Sequence, residues 1–544
     1  MRSSRGTEVM VVGAGPTGML LSAELARRDV RVRLLEKRTG PAEHSRALGV
    51  MPRTMEMLES LGLVDEFIGQ GHRVHGGKIY GREQRLLATM DFRDLPTRYP
   101  FMLLLPQTRT EAILRNALEE SGVDIEWGTE LKGFCAEKAG LGVRLTTTAG
   151  SQEDSCGYLV GCDGSHSLVR KGVGLEFAGA AYQQNWLLAD VTLEPRLDPE
   201  FMHLFACPTG PILFFPLPER VWRIVAMRPG TASDAAQAKL EEILGLLEMN
   251  QLSHLRPHHP LWVAGFSIHH RRVDHVRRGR VFLCGDAAHI HSPAGGQGMN
   301  TGLGDAMNLG WKLALAVKGS GTETLLDSYE TERIPVIAGV LELTDRLTRV
   351  MTAKAGPAVW LREWVLPVAA KLGANRKMAQ RLSQLTINYP HSPAVLPDAR
   401  RSPRMIPAGG RIPPLVLQNA ETGQEVQLMD LLSRGRLVVL VFTDGEPPME
   451  SFRKTVATVG SMDWHWVISS GKKHKDIRSG EGVWRDREGL VRAVLGDPEQ
   501  ESWAILRPDG ILMGRGEICE TLLLGEFLHR LFGDSERNSN VSGP

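Results

Sequence analysis

Gly13, Gly15 and Gly18 stand in the spacing G-x-G-x-x-G, within Gly13-Ala-Gly-Pro-Thr-Gly18. A glycine at each point has a separate use. Gly13 permits a tight turn, Gly15 lets backbone approach a pyrophosphate, and Gly18 lets a helix pack closely on a strand. Pro16 and Thr17 then open that helix, whose unpaired amides and positive end attract phosphate. Glu36, followed by Lys37, closes the next apolar run and is placed to accept hydrogen bonds from ribose hydroxyls. A carboxylate there disfavours a 2′-phosphate, so the pocket is expected to hold FAD or NAD rather than NADP.

Two further segments pair an aspartate with glycine after an apolar run. Arg280-Val-Phe-Leu-Cys-Gly285-Asp286-Ala-Ala-His289 reads as a strand that ends in Gly-Asp at a helix start. Gly161-Cys-Asp163-Gly164-Ser-His-Ser167 carries Arg170 three residues later.

These residues need elements to hold them. Glu8–Val12 and Val30–Leu35 read as strands around a helix over Met19–Arg28, a βαβ unit of about thirty residues. Thr54–Leu61 and Gln107–Ser121 read as helices. From about Gly179 to Ser267, apolar runs at Phe201–Ala206, Ile212–Leu217 and Trp222–Met227 are separated by Pro and Gly, which suits an antiparallel sheet. Parallel-sheet texture returns at Arg280–Cys284, with helices over Met307–Val317 and Leu325–Leu343. Tyr389–Pro414 is rich in Pro, Arg and Gly, as linkers are. Strands at Arg436–Phe442, Asp463–Ser469 and Ser502–Arg507 and a helix at Cys519–Phe532 complete a last α/β unit.

The expected division is 1–178 and 277–395 as two parts of one nucleotide-binding domain, with elements near 72–105 facing a β-sheet substrate domain at 179–276. A linker at 396–414 and a C-terminal domain at 415–544 follow.

Bulk properties exclude several classes. Lys plus Arg number 64 against 63 for Asp plus Glu, so no basic stripe points to nucleic acid. Six cysteines without a CxxC pair support neither a disulfide framework nor zinc. His254, His258, His259, His269 and His270 lack acidic partners and fall in a Pro-punctuated loop and a strand, so no metal site is expected. The apolar stretch Gly356–Leu372 is too short for a bilayer and carries charges. A soluble cytoplasmic protein without a secretion signal is the expectation.

The ordered motifs resemble those of the class A flavoprotein monooxygenases, the p-hydroxybenzoate hydroxylase-like family. The resemblance implies that Asp286 binds the ribityl chain of FAD, which NAD lacks. It implies that Pro293-Ala-Gly-Gly-Gln-Gly298-Met299-Asn300 is a flavin loop, its amides facing the pyrimidine edge and stabilising charge on the reduced ring. Asp163 matches the family's Asp-Gly motif, associated with both FAD and the nicotinamide, and Arg46 and Gln107 match further FAD-contacting positions. Arg46 suits a pyrophosphate because guanidinium binds phosphate oxygens in a bidentate way. The implied fold is α/β: a Rossmann-like FAD domain with an inserted, mostly antiparallel β-sheet substrate domain, plus a thioredoxin-like C-terminal domain similar to the tails of phenol and pentachlorophenol hydroxylases and aromatic polyketide hydroxylases. Leu437–Phe442 runs into Thr-Asp-Gly-Glu-Pro-Pro without cysteine, so thiol–disulfide exchange is excluded there. A structural role, an oligomer contact or a lid is expected of the tail.

The implied activity is hydroxylation of a phenolic or polycyclic aromatic, such as a polyketide, with NADPH or NADH as reductant, O2 as co-substrate and a flavin C4a-hydroperoxide as oxidant. No side-chain catalyst is assigned, because the cofactor performs the oxygen step. The competing readings are Baeyer–Villiger oxygenation of a ketone and a flavin protein that sequesters an intermediate. A homodimer is compatible with the sequence, and no nucleic-acid or membrane partner is expected. Trp464-His-Trp466-Val-Ile468-Ser469 nearly matches the flavin halogenase signature, yet lies in the tail with serine in place of proline, and is read as a core strand.

Overall fold

A computed structural model describes residues 6–43, 47–228, 238–292, 295–353, 359, 361–398, 402, 404–443, 452, 455, 462–469 and 482–533. The chain begins with a strand, a helix and a strand: β1 (Thr7–Val12), α1 (Pro16–Ala26) and β2 (Val32–Glu36). Helices α2 (Pro52–Glu59) and α3 (Gln107–Glu120) follow, then strands β3 (Ile125–Trp127) and β4 (Gly150–Gly161). Strands β4, β1, β2 and β3 lie side by side in that order, all parallel, and Val281–Leu283 adds to the far edge of β4. Both faces of this sheet are covered, which is why β1 reads as a continuous apolar run rather than an alternating one. Val9, Met10 and Val11 are fully buried.

The second sheet has eight strands. Its centre is β5 (Ala178–Glu194), β6 (Met202–Cys207), β7 (Gly210–Pro216), β8 (Val221–Arg228) and, beyond helix α4 (Leu240–Met249), β9 (Arg256–Arg272). They pair antiparallel in the order β9, β5, β8, β7, β6. Gly76–Tyr80 joins β6 in parallel, and Leu86–Asp91 forms the edge beyond it. His258 and His259, read from sequence as loop residues, stand inside β9. The proline at 257 does not break the strand, although its pairing with β5 shifts register between Asp190 and Thr192. Alternation gives this sheet two faces. Leu187, Ala189, Phe214, Ile224 and Ala226 pack against Ile243, Leu246 and Leu247 of α4. The other face carries Trp186, Leu188, Leu213, Val225 and Trp262. It continues through Phe215 and Met202 to Met51, Met102 and Leu104, which belong to the part of the chain that carries the first sheet.

The chain then returns to the first sheet through β10 (Val281–Leu283) and enters two long helices, α5 (Gly298–Val317) and α6 (Glu323–Thr352). Sequence periodicity marked only the later turns of α5, because Gly298, Asn300 and Gly302 interrupt its apolar pattern at the start. The C-terminal unit is a seven-stranded mixed sheet. Parallel strands β11 (Leu437–Phe442), β12 (Met462–Ser469) and β13 (Gly482–Asp486) adjoin antiparallel β14 (Ser502–Leu506) and β15 (Leu512–Glu517), with α7 (Thr521–Phe532) last. Trp464 and Trp466 belong to β12 and pack into the tail's core. Trp311 of α5 and Leu325 of α6 join the same core, so the tail is seated on these helices rather than tethered beside them. The segment after Phe442, where a thioredoxin would carry its cysteines, lies outside the described residues apart from Thr443. Among the described residues, no helix is long and apolar enough to cross a membrane.

Candidate cofactor site

The three motifs meet because three adjacent parallel strands end together. Val12 lies opposite Gly161, and Gly161 opposite Leu283. Each strand is tied to its neighbour just past that point: Cys162 N donates to Val12 O at 2.8 Å, and Cys284 N to Gly161 O at 3.0 Å. On the other side, Gly13 N donates to Leu35 O at 2.7 Å. Asp286, Asp163, the glycine turn and Glu36 therefore follow one another along the carboxyl ends of four strands, each step about 4.8 Å. Chain order reverses at β1, and such a switch point is where open α/β sheets bind ligands.

The glycines divide by what surrounds them. A Cβ on Gly13, whose φ is +103°, would lie 2.3 Å from Cys162 O. One on Gly18 would lie 2.0 Å from Gly13 O. Both are demanded by packing. A Cβ on Gly15 meets nothing within 4 Å, so this glycine faces open space at the start of α1. No side chain caps that helix, and Pro16 at its first turn lacks an amide, which leaves the following N–H groups for an anion. Thr17 sits under the Gly-Asp turn: Cβ atoms on Gly285 and Gly302 would fall 2.8 and 2.4 Å from its Oγ1.

Glu36 is buried at the end of β2. Its Oε2 accepts from Ala14 N at 3.0 Å and its Oε1 from Arg38 N at 3.0 Å. The Arg38 guanidinium also donates to both oxygens. Burial alone would raise this carboxyl, but the donors from Arg38 and Ala14 outweigh it and hold the pKa below the usual range. Arg38 is more than a third exposed, so ribose hydroxyls can displace it. Lys37 points to solvent.

Asp163 follows β4. Its Oδ2 accepts from Leu168 N at 2.7 Å and Val169 N at 3.2 Å, while Oδ1 is buried without a partner. Asp286 opens to solvent, yet desolvation by the surrounding protein raises its carboxyl above the ordinary value. An accessible but poorly hydrated carboxylate suits a hydroxyl-rich chain as its hydrogen-bond partner.

Gly298 and Met299 are partly exposed at the start of α5, while Asn300 is fully buried. The Asn300 side chain has no hydrogen-bonding capacity left over. Its Oδ1 accepts from Met51 N (2.8 Å) and Thr54 Oγ1 (2.7 Å), and its Nδ2 donates to Gly49 O (2.8 Å) and Gly296 O (2.7 Å). It shapes the loop, leaving only backbone for a ligand. Gln107 Nε2 donates to Glu111 at 2.8 Å, and Gln107 N donates to Ala47 O. Arg46 and Pro293 lie outside the described residues.

Sequence reasoning passed over the residue that ties these parts together. Asp305, fully buried on α5, accepts from Gly285 N (3.0 Å), His289 Nε2 (2.8 Å) and Arg333 Nε (2.6 Å). Burial opposes its charge, but Arg333 and His289 prevail and keep the pKa low. The signal was present as polar residues at 300, 301, 305, 308 and 312 along an otherwise apolar helix. His291, also beside the loop, is pushed down to about 4 by burial and is neutral at physiological pH.

Taken together, the site offers an open glycine at a free helix end, an acid at ribose distance along the sheet, and a second, cleft-facing acid. These features fit FAD, with Gly15 and the α1 amides toward the pyrophosphate, Glu36 toward the adenosine ribose and Asp286 toward the ribityl hydroxyls.

The FAD binding domain family matches residues 6–344. The 6-methylpretetramide 4-monooxygenase of Streptomyces rimosus is 35% identical, with 97% of this chain and 94% of that protein covered. The pentachlorophenol 4-monooxygenase of Sphingobium chlorophenolicum is 30% identical, with 94% of each covered. Among solved structures, an anhydrotetracycline hydroxylase from Streptomyces rimosus superposes with a TM-score of 0.78 at 30% identity, covering 97% of this chain and 99% of that one.

Proposed function

The chain belongs to the FAD binding domain family of class A flavoprotein monooxygenases and is an FAD-dependent aromatic monooxygenase, and from that premise we propose that it hydroxylates a polycyclic phenol of the polyketide type. The observation that carries the substrate class is the match along nearly the whole chain, tail included, to a monooxygenase whose name specifies a pretetramide. The relatives named as monooxygenases and hydroxylases of aromatic compounds favour hydroxylation over the ketone-oxidising and sequestering readings.

The substrate sheet supports the same reading. Its flavin-side face presents Trp186, Leu188, Leu213, Phe215, Val225 and Trp262 across four strands, an apolar wall broad enough for fused rings. On that wall Arg223 donates to Asp190 through Nε (2.7 Å) and Nη2 (2.8 Å), and its guanidinium stands 5.7 Å from the Trp262 ring centroid. A fixed, nearly buried ion pair on an apolar wall gives orientation more readily than stability. We assign it to orienting the polar edge of the substrate.

Bound FAD supplies reduction by NAD(P)H and activation of O2. The chain's own tasks are to hold the cofactor through Gly13, Gly15, Gly18, Glu36, Asp163, Asp286 and the Gly298–Asn300 amides, and to keep water from the ring through the apolar wall. Dependence on reduced nicotinamide supports a cytoplasmic location.

Oxygen uptake by the holoprotein, with NADPH or NADH and a panel running from phenol to tetracyclic phenols, tests the reading. Stimulation by the polycyclic members and a product with one new aromatic hydroxyl by NMR is expected. Equal response to phenol, or a lactone product, overturns the assigned substrate class or reaction.

A further inference from the structure

The C-terminal unit touches the nucleotide-binding half through charges that are fully buried. Arg507, in the turn after β14, donates to Glu332 Oε1 (2.6 Å) and Oε2 (2.8 Å) on α6, 175 residues earlier. It also binds Asp509 (2.9 and 2.6 Å). Glu332 further accepts from Lys312 Nζ (2.7 Å), Asn308 Nδ2 (2.5 Å) and Ser392 Oγ (2.5 Å). The four ionic groups, two cations and two anions, are at most 5% exposed. From the same turn, Asp509 O accepts from Arg53 of α2. Arg411 of the linker reaches Glu56 of α2 at 2.7 Å.

Both contacted helices lead directly to the cofactor site. On α6, the residue after Glu332 is Arg333, which donates to Asp305 and to Thr301 O (3.1 Å) in the first turns of α5, and to Tyr389 Oη (3.0 Å). Asp305 in turn holds Gly285 N. On α2, the residue after Arg53 is Thr54, whose hydroxyl holds Asn300 Oδ1. A cavity of ≈ 20 Å³, bordered by Arg53, Gly304, Arg333, Tyr389, Asp509 and Ile511, lies where the three parts meet. That is room for about one water molecule, so the junction is otherwise closed.

We propose that the Arg507-Pro508-Asp509 turn is a positioning element for the flavin: the C-terminal domain forms the back plate that fixes the Gly285–Asp286 turn through Glu332 and Arg333, and the Gly298–Asn300 loop through Arg53 and Thr54. The tail acts from behind the site, in contrast to a lid over it. This inference rests on the assignment of the Gly298–Asn300 loop to FAD.

The test measures the FAD dissociation constant, by recovery of flavin fluorescence on titration of apoprotein, and the visible circular dichroism of bound flavin. Arg507→Met, Arg507→Lys and Arg53→Met are compared with Asn300→Leu and wild type. Arg507→Met is expected to weaken FAD about tenfold and change the visible dichroism, with partial rescue in Arg507→Lys. Arg53→Met removes the donors to Asp509 O and Glu56 but leaves the Arg507–Glu332 pairs in place, so it remains informative should Arg507→Met fail to fold, and a several-fold loss with altered dichroism is expected. Folded Arg507 or Arg53 variants with wild-type affinity and dichroism, beside a weakened Asn300→Leu, overturn the back-plate role alone. Wild-type values in Asn300→Leu as well overturn the loop assignment on which it rests.

Discussion

Glu36 illustrates how one side chain can serve both the fold and the ligand. Four donors already reach its two oxygens, one from the glycine turn and three from Arg38. Ala14 N must remain bound when a ribose arrives, because that contact sets the turn, whereas the Arg38 guanidinium is free to leave. Glu36→Gln keeps the shape but removes the charge. A hydrogen bond to a charged group is worth about 1.5–3 kcal/mol, or roughly 10- to 100-fold. FAD affinity is therefore expected to fall by that factor in Glu36→Gln, while Arg38→Ala stays within about threefold of wild type. Titration of apoprotein with FAD checks both, and a larger loss in Arg38→Ala would contradict the displacement. The place of Glu36 at the end of β2 was legible from sequence because it depends on local spacing within a strand. Asn300 was legible only as a position: that its side chain is consumed by Gly49, Met51, Thr54 and Gly296 depends on a loop about 250 residues away in sequence.

At the level of elements, the strand–turn–helix start of the chain separates folding from binding within one motif. Gly13 needs its positive φ and its close approach to Cys162 O, and Gly18 needs its contact with Gly13 O. An alanine at either site meets backbone, so Gly13→Ala and Gly18→Ala are expected to cost several kcal/mol through strain and displacement. Gly15 has φ −79° and open surroundings, so Gly15→Val leaves the apoprotein melting temperature within about 2 °C of wild type. FAD binding is nevertheless expected to drop more than tenfold, because the new methyls occupy the phosphate's approach. Thermal unfolding of the apoproteins beside FAD titration resolves the two classes, and a destabilised Gly15→Val would show that this glycine also serves packing. Alternation by itself gives Ile212–Phe215 two faces without choosing between them. The choice comes from α4, which covers Ile212 and Phe214 and leaves Leu213 and Phe215 toward the flavin half. On that face, Arg223→Met is expected to raise KM for a polycyclic substrate about tenfold with little change in kcat. An unchanged KM would remove the ion pair from substrate orientation.

The whole molecule is bound together by groups that acid should dismantle. Glu332 is fully buried, and burial alone would raise its carboxyl, but Arg507 and Lys312 outweigh this and hold the pKa well below the usual range. Burial meanwhile draws Lys312 down to about 8. A carboxyl depressed in the folded state binds fewer protons than in the unfolded state as pH falls below its ordinary value. The stability it contributes is thus complete above about pH 4.5 and lost as pH falls toward the folded pKa, at up to about 1.4 kcal/mol per pH unit. Glu332→Gln removes one partner of a buried cluster, a change that costs about 3–5 kcal/mol at neutral pH. The variant should accordingly melt well below wild type at pH 7, and the gap should narrow between pH 4.5 and 3, where the unfolded wild-type chain takes up a proton at Glu332 that the folded state does not bind. Melting curves of holoprotein across that range decide it, a constant gap meaning that Glu332 does not titrate with unfolding. The same cluster predicts that residues 1–396 alone will not yield a soluble FAD-binding unit. Cutting there exposes Trp311 and Leu325 and strips Glu332 of both hydrogen bonds from Arg507. Purification of that fragment with bound flavin would show the tail to be dispensable. Cys519 is its only cysteine, so the proposed back-plate role rests on buried charge and not on thiol chemistry.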